Sequence, residues 1–109
     1  MEYSFKNRRY ITKGIEERIP PELVILMWHL IDTMEVAKKD YLQVFDLSVF
    51  APEDDEIHSV VKTQIIQHIQ EQPPYNQRII LVGSPFAITE KIFVIDDINH
   101  STMLLAEEY

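Results

Sequence analysis

In several stretches of this chain apolar residues alternate with polar ones or form short runs, and in one stretch they recur every three to four. The helical stretch opens at Ile19-Pro20-Pro21-Glu22, where proline is tolerated in a first turn and Glu22 suits the positive end of the helix dipole. It predicts a helix from Pro21 to Lys39. At 100° per residue Leu23, Leu26, Met27, Leu30, Ile31, Met34 and Ala37 share one stripe, with Glu22, His29, Asp32 and Glu35 elsewhere. Val24 and Trp28 flank the stripe, and Ile25 with Val36 point to the opposite side. That side is more apolar than a helix with a single buried face requires, so it is either covered or a contact surface.

The remaining pattern reads as strands. Arg8 to Gly14 forms the first, followed by a polar connection over Ile15 to Ile19. Asp40 to Phe50 forms the second, with Tyr41, Phe45, Leu47 and Val49 on one alternating face. The acidic, proline-containing Ala51-Pro52-Glu53-Asp54-Asp55-Glu56 is a loop. Ile57, Val61, Ile65 and Ile69 repeat at four, as in a helix, but Val61, Thr63, Ile65, Gln67 and Ile69 alternate, and a strand over Val61 to Glu71 is the reading taken. Pro73-Pro74 ends it, Arg78 to Gly83 is a further strand, and Ser84-Pro85 turns the chain.

Lys91 to Asp96 and Thr102 to Glu107 are two apolar runs around a polar corner at Asp97 to Ser101, a hairpin that must pair or pack to be stable. Met103 and Leu105 face one side and Leu104 the other, which predicts an inner strand buried on both faces. These elements sum to an α+β domain spanning residues 1–109: one amphipathic helix on a curved, mainly antiparallel sheet of five to six strands. One helix cannot cover both faces of such a sheet, so curling or dimerisation is expected to shield the other.

Composition narrows the function classes. With 109 residues the chain has room for one core. Ten Lys and Arg against eighteen Asp and Glu give a net charge of -8, which disfavours a nucleic-acid partner. Without cysteine there is no disulfide, thiolate metal site or thiol nucleophile. No apolar run approaches the roughly 18 residues of a membrane span, and the start carries no secretory pattern, so a cytoplasmic location without membrane contact is expected.

Several segments together, Arg9-Tyr10-Ile11-Thr12-Lys13-Gly14, Ile19-Pro20-Pro21-Glu22-Leu23, Trp28-His29-Leu30-Ile31-Asp32, Asp40-Tyr41-Leu42-Gln43-Val44-Phe45, Gln70-Glu71-Gln72-Pro73-Pro74-Tyr75 and Thr102-Met103-Leu104-Leu105, carry a resemblance. Over nearly its whole length the chain resembles a small uncharacterised family first named as a staphylococcal protein of unknown function, found in low-GC Gram-positive bacteria and their mobile elements. The resemblance implies a cytoplasmic, single-domain bacterial protein. It implies no activity, cofactor or site residue.

Candidate chemistry is sparse. His29, His58, His68 and His100 fall on different elements without the His-x-x-x-His spacing of a metal site, and no metal or other cofactor is expected. Asp96, Asp97 and His100 share the hairpin corner, where a cation or an acid–base pair is conceivable, but turn geometry is the commoner use of such residues. Ser59, Ser84 and Ser101 lack a nucleophile-elbow context, and two glycines, Gly14 and Gly83, cannot build a phosphate loop. Lys6, Arg8, Arg9 and Lys13, interleaved with Tyr3, Phe5 and Tyr10, read as the cations of an edge strand. Glu53 to Glu56 and Glu107-Glu108 read as solvated charge, with mimicry of DNA phosphates as the sharper alternative. Trp28 with Val24, Ile25 and Val36 is the strongest hint, since interfaces use aromatic anchors ringed by aliphatics; burial of Trp28 in the fold is weighed equally. The leading expectation is a non-enzymatic module that binds a protein or itself. A small metal-dependent enzyme at Asp96, Asp97 and His100 comes second, and an acidic DNA mimic third.

Overall fold

The structure is a computed structural model that describes residues 2–50 and 62–109. The acidic loop Ala51 to Glu56, together with Ile57, His58, Ser59 and Val61, lies outside the described residues. The elements are β1 (Arg8–Ile11), α1 (Lys13–Arg18), α2 (Pro21–Thr33), β2 (Leu42–Phe50), β3 (Lys62–Gln70), β4 (Tyr75–Ser84), β5 (Glu90–Asp96), β6 (His100–Leu105) and a final 3-10 turn (Ala106–Glu108). One six-stranded sheet has the order β1-β6-β5-β2-β3-β4. All its pairings are antiparallel except β1 with β6, so the expected α+β, mainly antiparallel architecture holds in an open, mixed sheet.

Two helices cover one face instead of the single helix expected. The stretch read as a polar connection contains α1, capped by Thr12, whose hydroxyl accepts from Ile15 N–H at 3.3 Å. Ile15 and Ile19, four apart, both reach the core. Gly14 masked this start in the sequence. Its amide donates to Glu108 Oε2 at 3.3 Å, and a Cβ there would lie 2.7 Å from the Glu108 carboxyl group.

The second helix is shorter than its periodicity implies, ending at Thr33 rather than Lys39. Met34 turns extended, with φ -66° and ψ 135°, and is still buried. The chain beyond Met34 is held by groups from outside the helix: Gln70 Nε2 donates to the Lys38 carbonyl at 2.9 Å, and Asp40 N–H donates to Gln70 Oε1 at 2.7 Å. Backbone groups beyond the helix thus find side-chain partners as the chain descends to β2.

Leu23, Met27 and Ile31 of α2, with Ile15 and Ile19, pack on Phe45, Leu47, Ile66, Ile92, Val94, Met103 and Leu105 of the sheet. Phe5 completes this core from the N-terminal segment. On β2 the inward set is Gln43, Phe45 and Leu47, the face expected from alternation. β3 is the strand expected, but its inward face is Gln64, Ile66, His68 and Gln70, and the alternating set with Ile65 and Ile69 faces away. β6 lies between β1 and β5, with Met103 and Leu105 buried and Leu104 half-buried on the far face. The far-face residues of every strand remain half-buried or exposed, so among the described residues only one face of the sheet carries a helical layer.

The polar face of β3 is accommodated by hydrogen bonding. Gln64 Nε2 donates to the carbonyls of Ser48, Ile65 and Ile88 at 2.9, 3.1 and 3.0 Å, and its Oε1 accepts from Ile88 N–H at 2.7 Å. Gln70 Nε2 also donates to the Pro73 carbonyl at 2.9 Å. A buried amide with these partners avoids the desolvation penalty of an unmade bond and ties loops to the sheet.

Candidate functional site

The hairpin corner is spent on structure. Asp96 is buried, and its two oxygens accept from Phe5 N–H and Asn7 Nδ2 at 2.9 Å each and from Ile98 N–H at 2.7 Å. Asp97 Oδ1 accepts from Asn99 N–H at 3.1 Å and His100 N–H at 2.9 Å, and its Oδ2 lies 3.1 Å from His100 Nε2. Asp96 therefore anchors the N-terminal segment and Asp97 closes the turn, the use expected of such residues. Among the described residues no three His, Asp or Glu converge as a metal site would require.

Of the four residues read as an apolar surface, Val24, Ile25 and Trp28 lie on α2, and Val36 lies beyond its end. Trp28 is half-buried beneath Arg9, whose guanidinium carbon lies 4.7 Å from the ring centroid. Arg9 is held there by Asp32, at 3.1 and 2.5 Å, and by donating to the Phe5 carbonyl at 2.9 Å. Val36 follows the end of α2 and lines a depression with Glu2, Tyr3, Lys6, Lys38 and Lys39. Val24 and Ile25 share a further feature. They form an apolar notch of about 160 Å³ with Ile11, Ile19 and Pro21, and Ile25 is 69% exposed.

This notch continues into a groove. Glu16, Ile19 and Pro21 line both the notch and an adjoining depression bordered by Glu17, Arg18, Glu22 and Phe86. Arg18 is engaged by Glu107 and lies 3.5 Å from Glu90. The rim of an apolar groove is thus dominated by Glu16, Glu17 and Glu22, all exposed. Sequence reasoning missed it because it depends on α1; the Ile11, Ile15, Ile19 repeat at four was the available signal.

A second concavity of about 480 Å³ lies between the end of α2 and β4, lined by Leu30, Thr33, Glu35, Tyr75, Asn76 and Gln77. Burial, then the nearby Glu35 carboxylate, raises the Tyr75 pKa, so its hydroxyl stays protonated and donates to Gln77 Oε1 at 2.5 Å. The Tyr75 ring meets His68 edge-on at 5.1 Å. Gln43 Nε2 donates to Gln70 Oε1 at 2.6 Å, which leaves Gln43 Oε1 as acceptor for His68 Nε2–H at 2.7 Å. His68 Nδ1 then has no partner, and burial lowers the imidazole pKa to about 4. This neutral, enclosed ring has no nucleophile or carboxylate bonded to it, so it lacks the constellation of a proton-transfer site.

Helices on one face of an open, mostly antiparallel six-stranded sheet define an α+β domain. Residues 8–108 match the family described as staphylococcal protein of unknown function (DUF960), and the chain belongs to that family. The crystal structure of a protein of unknown function from Enterococcus faecalis is similar in fold, with a TM-score of 0.71 at 23% identity, covering 100% of this chain and 98% of that one. No curated protein matches the chain. Among the described residues no helix is long and apolar enough to cross a membrane.

Proposed function

We propose that this protein is a non-enzymatic interaction module, a single domain that receives an apolar side chain of a protein partner in the groove between β1, α1 and the start of α2. The observation that carries this reading is the pairing of an open apolar notch, Ile11, Ile19, Pro21, Val24 and Ile25, with a rim of Glu16, Glu17 and Glu22. An exposed apolar concavity accounts for affinity, and the acidic rim selects the neighbours of the inserted residue. The partner segment is accordingly an aliphatic or aromatic side chain flanked by Lys or Arg. We place this activity in the cytoplasm, as the family resemblance implies.

The competing readings have less to stand on. Asp96 accepts three hydrogen bonds that hold the fold, which weighs against a metal-dependent enzyme at Asp96, Asp97 and His100. For the DNA mimic, Glu107 is engaged by Arg18, and Glu108 by Thr12, Gly14 and Leu105.

Selection of a random peptide display library on the purified protein tests the proposal. Peptides with an apolar residue between basic ones are expected to be enriched, and their binding should weaken as salt rises. Ile25→Asp should abolish it, and Glu16→Lys with Glu22→Lys should reduce it at least about tenfold, or ~1.4 kcal/mol, while lowering stability only by the first-turn dipole effect of about 0.3–1 kcal/mol per residue. Failure to enrich this pattern, or equal binding to Ile25→Asp, would overturn the reading.

A further inference from the structure

Ten residues long, β4 lies at one end of the sheet and pairs only with β3 among the described residues. At the other end β1 has four residues and carries Arg8 and Arg9. A long bare edge is a template for another strand, and monomeric proteins blunt such edges with charge, proline or bulges. β4 contains no proline and one charged residue, Arg78. Lys62 opposes Ser84 and Gln64 opposes Leu81, so three steps on β4 match two on β3. The extra residue falls at Val82–Gly83, where Gly83 has φ 76°, and the strand before it is regular. Ile80 and Val82, on the face away from the helices, are 56% and 83% exposed.

We propose that the β4 edge pairs with the β4 edge of a second copy of this chain, antiparallel about a two-fold axis normal to the sheet and centred on Ile79. This surface is separate from the groove and does not depend on that reading. Such an axis keeps both helical layers on one side, so each residue opposes one whose side chain lies on the same face. Centring on Arg78 would set two guanidinium groups opposite each other, which is destabilising. Centring on Ile80 would leave only Ile79 to Leu81 regularly paired between the two Val82–Gly83 bulges, whereas centring on Ile79 leaves Gln77 to Leu81. Centring on Ile79 sets Ile79 against itself, Ile80 against Arg78, Leu81 against Gln77 and Val82 against Asn76. In that register no like charges are directly opposed, and the aliphatic stem of Arg78 covers Ile80. This self-complementarity of side chain and charge is the reason for choosing a second copy over a foreign strand. The two sheets continue as one.

The test uses the absence of cysteine from the chain. Directly opposed antiparallel residues have Cα atoms about 4.5–5.5 Å apart, within the range a disulfide bridges. Ile79→Cys should therefore oxidise to a covalent dimer, and Arg8→Cys on the β1 edge should remain largely monomeric. Sedimentation of the cysteine-free protein from low to high micromolar concentration should show a monomer–dimer equilibrium. Because each copy carries a net charge of -8, added salt should strengthen the dimer, whereas it weakens binding in the groove. Ile80→Lys, which sets a second cation against Arg78, should weaken dimerisation at least about tenfold, with an unaltered far-ultraviolet spectrum, while Ile25→Asp leaves it intact. A monomer at the highest concentration would overturn the proposal. So would a dimer in which Ile79→Cys cross-links no faster than Arg8→Cys, or which Ile80→Lys leaves undisturbed.

Discussion

His68 of β3 stacks on Phe45 of β2, with ring centroids 4.3 Å apart and 18° between the planes, at positions directly opposed in the β2–β3 register. An imidazole enclosed in this way resists protonation, and its folded pKa of about 4 lies below the ordinary 6.5. Between those values the unfolded chain binds the extra proton, so this residue's contribution is full above pH 6.5 and is lost as pH falls towards 4. Its maximum is roughly 3 kcal/mol. Urea unfolding at about pH 7.5 and about pH 5 should show a lower midpoint at the acid pH. His68→Phe should flatten that dependence while costing about 1–3 kcal/mol at neutral pH by leaving Gln43 Oε1 unpaired.

Asp96 joins the two ends of the chain. Asp96→Ala would leave Phe5 N–H and Asn7 Nδ2 without their acceptor and loosen the segment that inserts Phe5 into the core. A loss of about 2–4 kcal/mol is expected. Limited proteolysis should show new cleavage before Arg8. Divalent cations should leave the unfolding midpoint of the wild-type protein unchanged, since both carboxylate oxygens are already committed.

Ile98, in the β5–β6 turn, has φ 81°, a left-handed conformation that a β-branched residue adopts only under strain. Its N–H donates to Asp96 Oδ1 at 2.7 Å, which holds it there. The strain costs about 1–2 kcal/mol, so Ile98→Gly is expected to be neutral or to stabilise by up to ~1 kcal/mol after the added unfolded-state entropy. Thermal unfolding decides the sign. Ile98→Val should show no gain.

Trp28 is the one tryptophan of the chain, so its fluorescence reports directly on Arg9. Arg9→Ala removes both the guanidinium over the ring and the two-pronged contact with Asp32. The emission maximum should move to longer wavelength, with a loss of about 1–2 kcal/mol given the partial exposure of the pair. Arg9→Lys should restore little of either effect, because an ammonium cannot reproduce the planar fork.

The amino-acid order determined by itself whatever rests on local periodicity. The stripe Leu23, Met27, Ile31, the alternation of Phe45 and Leu47, the β5–β6 hairpin and the inner position of β6 are each set by residues within a few positions of one another. The exposed apolar character of Ile25 was also legible, because it stands opposite that stripe. Only the tertiary structure decided which face of β3 turns inward. Gln64 and Gln70 are stable inside because Lys38, Ser48 and Ile88 bring their carbonyls to them. The same distant partners bear on the end of α2 before Lys38 and on the fate of Trp28, which Arg9 covers from another element. Short-range patterning counts apolar residues, whereas burial of a polar side chain depends on acceptors that arrive from far along the chain.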